Sequence, residues 1–164
     1  MWKFSQFCDI LLSEVRWERF SKRANPTIME ITVMKKIVIS GSISLSDKMK
    51  NIANQLTDMG YMVVIPEEVE WDNIPQNKYD EYKKELSMQY FNEIAKEDTY
   101  AVLAVNDVKR GIENYIGAST FAEIAIAFFF GKKIFALNDI YEPYKDELSA
   151  WGVIPLNGKL SDIK

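Results

Sequence analysis

The chain has 164 residues, 48% of them hydrophobic, a net charge of −4 and an isoelectric point near 5.0. This supplies enough apolar side chain for one packed domain and no basic footprint for a nucleic-acid backbone, which excludes polymeric DNA or RNA as a partner. One cysteine, Cys8, and no histidine rule out an intramolecular disulfide, a cysteine zinc site and a histidine base. Catalysis, if any, falls to carboxylate, tyrosine or lysine chemistry in a reducing, cytoplasmic setting.

Residues 1–33 differ from the rest of the chain. Trp2, Phe4, Phe7, Ile10, Leu11, Val15 and Phe20 recur at roughly helical spacing before SKRANP breaks the pattern, which predicts an amphipathic N-terminal extension without a catalytic role. Its charges at Glu14, Arg16, Glu18 and Arg19 exclude a membrane span, and it lacks the basic start and small-residue cleavage site of a secretory signal. The folded domain is expected to begin at Met34, which opens MKKIVISGS.

From Lys35 onward strand and helix patterns alternate, the signature of an α/β domain with a parallel sheet. Lys36 to Ser40 reads as the first strand, followed by a Gly41-Ser42 turn and a helix with Met49, Ile52, Ala53, Leu56 and Met59 on one face. Ser44 and Asp47 suggest an S-x-x-D cap for that helix, and Gly60 its stop. Tyr61 to Ile65 is a second strand. The polar loop Glu67 to Lys78, with Trp71 in its middle, reads either as a lid over a pocket or as a solvated loop. A long helix then runs from about Tyr79 to Glu97, with Tyr82, Leu86, Tyr90, Phe91 and Ile94 inward. Ala101 to Val105 is a central strand ending in Asn106-Asp107, and the connection VKRGIENYIGAST suits a ligand-binding turn.

The stretch Tyr115 to Leu137, YIGASTFAEIAIAFFFGKKIFAL, holds one carboxylate, Glu123, within a run of mostly small and apolar side chains. Gly117 and Ala118 read as a tight turn, Ser119 or Thr120 as the N-cap of a short helix from Phe121 to Phe130 that is buried on all sides and stopped at Gly131, and Lys133 to Leu137 as a fourth strand with Asn138 at its carboxyl end. Two explanations of Glu123 stand side by side. In Thr120-Phe121-Ala122-Glu123 it can close a capping box on its own helix. Alternatively it is a catalytic carboxylate: ligands of open α/β sheets bind beyond the carboxyl ends of the strands, and Gly41, Ser42, Asn106, Asp107 and Glu123 all fall on that edge. A short helix from Tyr144 and a fifth strand within Gly152 to Leu156 complete a three-layer sandwich of about five parallel strands, Rossmann-like and in the flavodoxin-like order 2-1-3-4-5.

KKIVISGS, AVLAVND and GASTFAEIAIAFFFGKKIFAL together resemble the nucleoside 2-deoxyribosyltransferases and the related deoxynucleoside 5'-monophosphate N-hydrolases, over about residues 34 to 160. The resemblance implies a small-molecule nucleoside or nucleotide partner and a glutamate nucleophile, matching Glu123, that attacks the anomeric carbon of the sugar. It places Ser42 in a sugar or phosphate cradle and Asn106 and Asp107 near the nucleobase. Where the family carries an aspartate on the helix before the third strand, this chain offers Tyr90 or Asn92, so Asp107 is the candidate acid for the departing base. The substrate-binding candidates are Gly41, Ser42, Tyr90, Asn106, Gly117, Ser119 and Asn138. Such chemistry needs no metal or other cofactor. The resemblance also implies a homo-oligomer, in line with the apolar end Phe128-Phe129-Phe130. Two alternatives remain. GASTFAE is similar to the GGxGTxxE turn of Lonely Guy-type nucleoside monophosphate phosphoribohydrolases, with Tyr115-Ile116 in place of that family's usual lead, and the same edge would also serve a non-catalytic nucleotide sensor.

Overall fold

The computed structural model describes residues 34–164; the amphipathic helix expected within 1–33 lies outside the described residues. In chain order the elements are β1 (Lys36–Gly41), α1 (Ser46–Asp58), β2 (Met62–Val64), α2 (Tyr79–Ala95), β3 (Thr99–Val105), β4 (Asp107–Lys109), β5 (Ile112–Tyr115), α3 (Ala118–Phe129), β6 (Lys133–Ala136), α4 (Lys145–Ala150) and β7 (Ile154–Pro155). The main sheet runs β2-β1-β3-β6-β7 with every pair parallel. Counted along this sheet, that is the expected order 2-1-3-4-5.

Period-two alternation divides the core into two layers. Ile37, Ile39, Leu103, Val105, Phe135 and Leu137 pack against Met49, Ile52 and Leu56 of α1 and against the C-terminal Leu156, Leu160 and Ile163. On the other face Val38, Val102, Ala104, Ile134 and Ala136 meet Ile94 of α2, Ile124 and Ala127 of α3 and Leu148 of α4. Lys36 and Ser40 share the Val38 face by the same alternation, and both are buried. The Lys36 ammonium bridges Glu93 and Asp98, each at 2.7 Å, and so ties β1 to α2 and the turn after it.

Several local expectations are corrected. Residues Ile43–Leu45 form a single 3-10 turn, so α1 starts at Ser46 with no side-chain cap, and the Ser44 hydroxyl sits 3.0 Å from that of Ser42. The connection after β3 contains an antiparallel hairpin of β4 and β5. Arg110 and Gly111, at φ 53° and 77°, make the two-residue turn whose left-handed backbone matches strand twist. The helix α3 begins earlier than the sequence suggests, because the Phe121 N–H donates to the Gly117 carbonyl at 2.9 Å and Gly117 is its N-cap. Glu123 therefore falls in the second turn, beyond capping-box reach, and Thr120 is buried in the first. Nor is α3 covered all round: Phe128, Phe129 and Phe130 are 48%, 79% and 47% exposed.

Candidate active site

One cavity of about 370 Å³ opens at the carboxyl edge of the sheet, within the usual range for small-molecule sites. Its wall joins four parts of the chain: the end of β1 at Gly41 and Ser42, the loop before α2 at Trp71, the hairpin at Lys109 and Tyr115, and the start of α3 from Gly117 to Thr120. Close approach explains both glycines. A Cβ on Gly41 would stand 3.0 Å from the Met49 sulfur and 3.3 Å from Val105, and one on Gly117 would stand 3.3 Å from the Tyr115 ring. The loop before α2 forms part of this wall. Trp71 stacks on Tyr79 with centroids 5.3 Å apart, and the Tyr79 hydroxyl donates to the Trp71 carbonyl at 3.0 Å, which anchors the loop to the start of α2.

Glu123 does not itself line the cavity. It lies beneath the wall, one helical turn from Ser119, against Ser40 of β1. It is partly buried, and burial pushes its carboxyl up to about 7, opposed only by the neighbouring Ser40 hydroxyl. That hydroxyl is close enough to favour the charged form but outside hydrogen-bond geometry, and it is buried with no partner among the described residues. Tyr90 of α2 approaches from the same side. Its hydroxyl donates to the Ile39 carbonyl, while burial first and then the charges of Glu123 and Glu93 drive its pKa well above the ordinary tyrosine range. With that proton committed to the backbone, Tyr90 shapes the environment of Glu123 without donating to it.

The other expected residues separate. Asn106 and Asn138 spend their amides on each other and on the backbone: the Asn138 N–H donates to Asn106 Oδ1 at 2.9 Å, Asn138 Nδ2 to the Asn106 carbonyl at 2.6 Å, and Asn106 Nδ2 to the Asp139 carbonyl at 2.7 Å. They clamp the loop after β6 to the end of β3 and are not part of the cavity wall. Asp107 pairs with Lys48 and accepts from the Val108 N–H, and these two donors hold its carboxyl below the usual carboxylate range. Gly41, Ser42, Gly117 and Ser119 do meet in one cavity.

Two residues escape a reading of the sequence. Ser40 is legible only as the polar member of the Val38 face. Lys109 becomes visible once Arg110-Gly111 is read as a hairpin turn, and its ammonium donates to Ser42 Oγ at 2.7 Å. Among the described residues no cluster of histidine, cysteine, aspartate and glutamate could hold a metal ion, and no helix is long and apolar enough to cross a membrane.

The fold and site thus define an α/β sandwich with a glutamate, unpaired among the described residues, under a cavity at the carboxyl edge of its sheet. Among solved structures, that of the Clostridium botulinum CMP N-glycosidase BcmB is similar to this chain, at 17% identity and a TM-score of 0.47 over 74% of this chain and 87% of that one. No family model and no curated protein matches the sequence.

Proposed function

We propose that the protein cleaves the N-glycosidic bond of a nucleoside or nucleotide, with Glu123 as the nucleophile at the anomeric carbon. The observation that carries this reading is a carboxylate that no cation offsets among the described residues, so that burial, opposed by the Ser40 hydroxyl, raises its pKa to about 7. Bond cleavage develops positive charge on the sugar, and a carboxylate with no other cation gains the most from that charge. Attack by a Glu123 oxygen on the anomeric carbon, as the base departs with the bonding electrons, gives a sugar ester. Water then yields the free sugar and restores the carboxylate, whereas a second base would yield a new nucleoside. Ser42, Ser119 and the backbone of Gly117 supply hydroxyl and amide groups for the substrate. The capping-box explanation of Glu123 loses its basis, because the helix starts too early for it.

The test is release of free base, followed by chromatography, from deoxyribo- and ribonucleosides and their 5'-monophosphates. Wild type is expected to release base, and Glu123→Gln to lose turnover by several orders of magnitude while still binding substrate. Wild-type turnover in the glutamine variant would sink the nucleophile assignment. A ligand-induced rise in melting temperature without base release from any substrate would favour a nucleotide sensor.

A further inference from the structure

We infer that Ser42 and Lys109 form a serine–lysine dyad that gives the protein a second activity, hydrolysis of carboxylic esters through an acyl-Ser42 intermediate. This goes beyond the N-glycosidase reading and does not depend on it. Lys109 Nζ lies 2.7 Å from Ser42 Oγ, and the Ser44 hydroxyl lies 3.0 Å from the same oxygen. A nucleophile and its base within hydrogen-bond reach, with the base fixed by a third group, is the arrangement that activates a serine, and lysine replaces histidine in some such pairs. The third group here is Tyr115, whose ring centre lies 5.2 Å from the Lys109 nitrogen. Lys109 is partly buried on the cavity wall, and among the described residues no carboxylate pairs with it. Its neighbours on this edge differ: Lys48 is held by Asp107 and Lys50 by Glu68.

Protonated, Lys109 donates to Ser42; as the free amine it accepts the Ser42 proton instead. The Ser42 oxygen then bonds to the ester carbonyl carbon, and the carbonyl oxygen becomes an oxyanion. The first turn of α3, Ala118 to Thr120, lines the same cavity, and its N–H groups have no intrahelical acceptor, so they can donate to that oxyanion. When the tetrahedral intermediate collapses, the bond to the alcohol oxygen breaks and Lys109 gives its proton to the leaving alkoxide. A water molecule, deprotonated by Lys109 in turn, cleaves acyl-Ser42 to the carboxylic acid and restores the serine. Val69, Trp71 and Leu86 on the wall offer an apolar acyl group a surface to pack on, which makes esters of apolar acids the substrate class.

The experiment treats the full chain with an alkyl fluorophosphonate, which phosphonylates activated serines, and separately with p-nitrophenyl butyrate. Adducts are mapped by mass spectrometry and p-nitrophenol release is followed by absorbance. Wild type is expected to carry one phosphonyl group, on Ser42, and to turn over the ester; Ser42→Ala is expected to lose both. Lys109→Met is expected to slow labelling and turnover roughly 100-fold or more, the usual weight of a general base. Lys109→Arg is expected to fail equally, because a guanidinium keeps the hydrogen bond but does not give up its proton. Mapping of wild type by itself decides where the nucleophile is, whether or not the variants fold. No adduct on Ser42, no ester turnover, or full reactivity in Lys109→Arg overturns the inference. Base release from nucleotides is read separately: ester turnover without it upholds the dyad and defeats the glycosidase reading, and base release without Ser42 labelling does the reverse.

Discussion

The Ser40 hydroxyl of β1 and the Glu123 carboxylate of α3 lie side by side beneath the cavity wall, and no cation accompanies them among the described residues. A buried hydroxyl without a partner costs about 1–3 kcal/mol, and a carboxylate in the same recess resists ionisation. The main sheet thus ends in a small region of unfavourable electrostatics directly under the space a ligand would fill, the kind of local cost found at functional sites.

The pH dependence of stability follows from this placement. Glu123 is raised from 4.5 to about 7, so the folded chain holds its proton more tightly than the unfolded chain does. Stability from this group falls as pH rises from about 4.5 through about 7, and the full cost at higher pH is on the order of 3 kcal/mol. Glu123→Gln is therefore expected to be more stable than wild type at pH 8, by roughly 1–3 kcal/mol, with the gap closing near pH 4. Urea denaturation at the two pH values checks this. A glutamine variant less stable at pH 8 would show that the carboxylate supports the fold.

Activity should carry the same signature. A nucleophile must be ionised, so kcat/KM for base release is expected to rise with pH and level off above about 7. Ser40 opposes the upward shift of Glu123, so Ser40→Ala is expected to move this limb to higher pH, whereas Ser40→Thr, which keeps the hydroxyl, should leave it close to wild type. A limb that stays in place in Ser40→Ala would mean that Ser40 does not influence Glu123.

Asp107 is expected to be dispensable as an acid. Lys48 and the Val108 N–H hold it ionised, the wrong state for giving a proton to a departing base near neutral pH. Asp107→Asn is predicted to change the ratio of rates for good and poor leaving bases little, and to cost at most about 1 kcal/mol of stability, since both partners of the pair are partly exposed. Selective loss of the poor leaving groups in this variant would restore Asp107 as the acid.

The exposed aromatic end of α3 makes a prediction about assembly. Phe129 is 79% exposed, with Phe128 and Phe130 beside it, an apolar surface that a second copy of the chain would cover. Sedimentation at micromolar concentration is expected to show an oligomer for wild type and a shift toward monomer for Phe129→Lys. A monomeric wild type would count against self-association.

The layer order of the domain is written in the sequence, because continuous apolar runs such as Ile37 to Ile39 and Ala101 to Val105 specify strands buried on both faces, and amphipathic helices between them leave few ways to wind a parallel sheet. Glu123 stands out there too, as the one charge in an apolar helix. Its role is another matter. Whether it can cap that helix depends on where α3 begins, and a hydrogen bond to the Gly117 carbonyl sets that point, not the serine and threonine that come after it. Ser40 and Lys109 gain meaning only through partners on other elements, Glu123 across the β1–α3 contact and Ser42 across 67 positions of chain. Asn106, Asn138 and Asp107 sit on the expected edge, yet packing gives them partners of their own there. An edge can be inferred from strand order alone, whereas which side chains on it remain free is decided by contacts between residues distant in the chain.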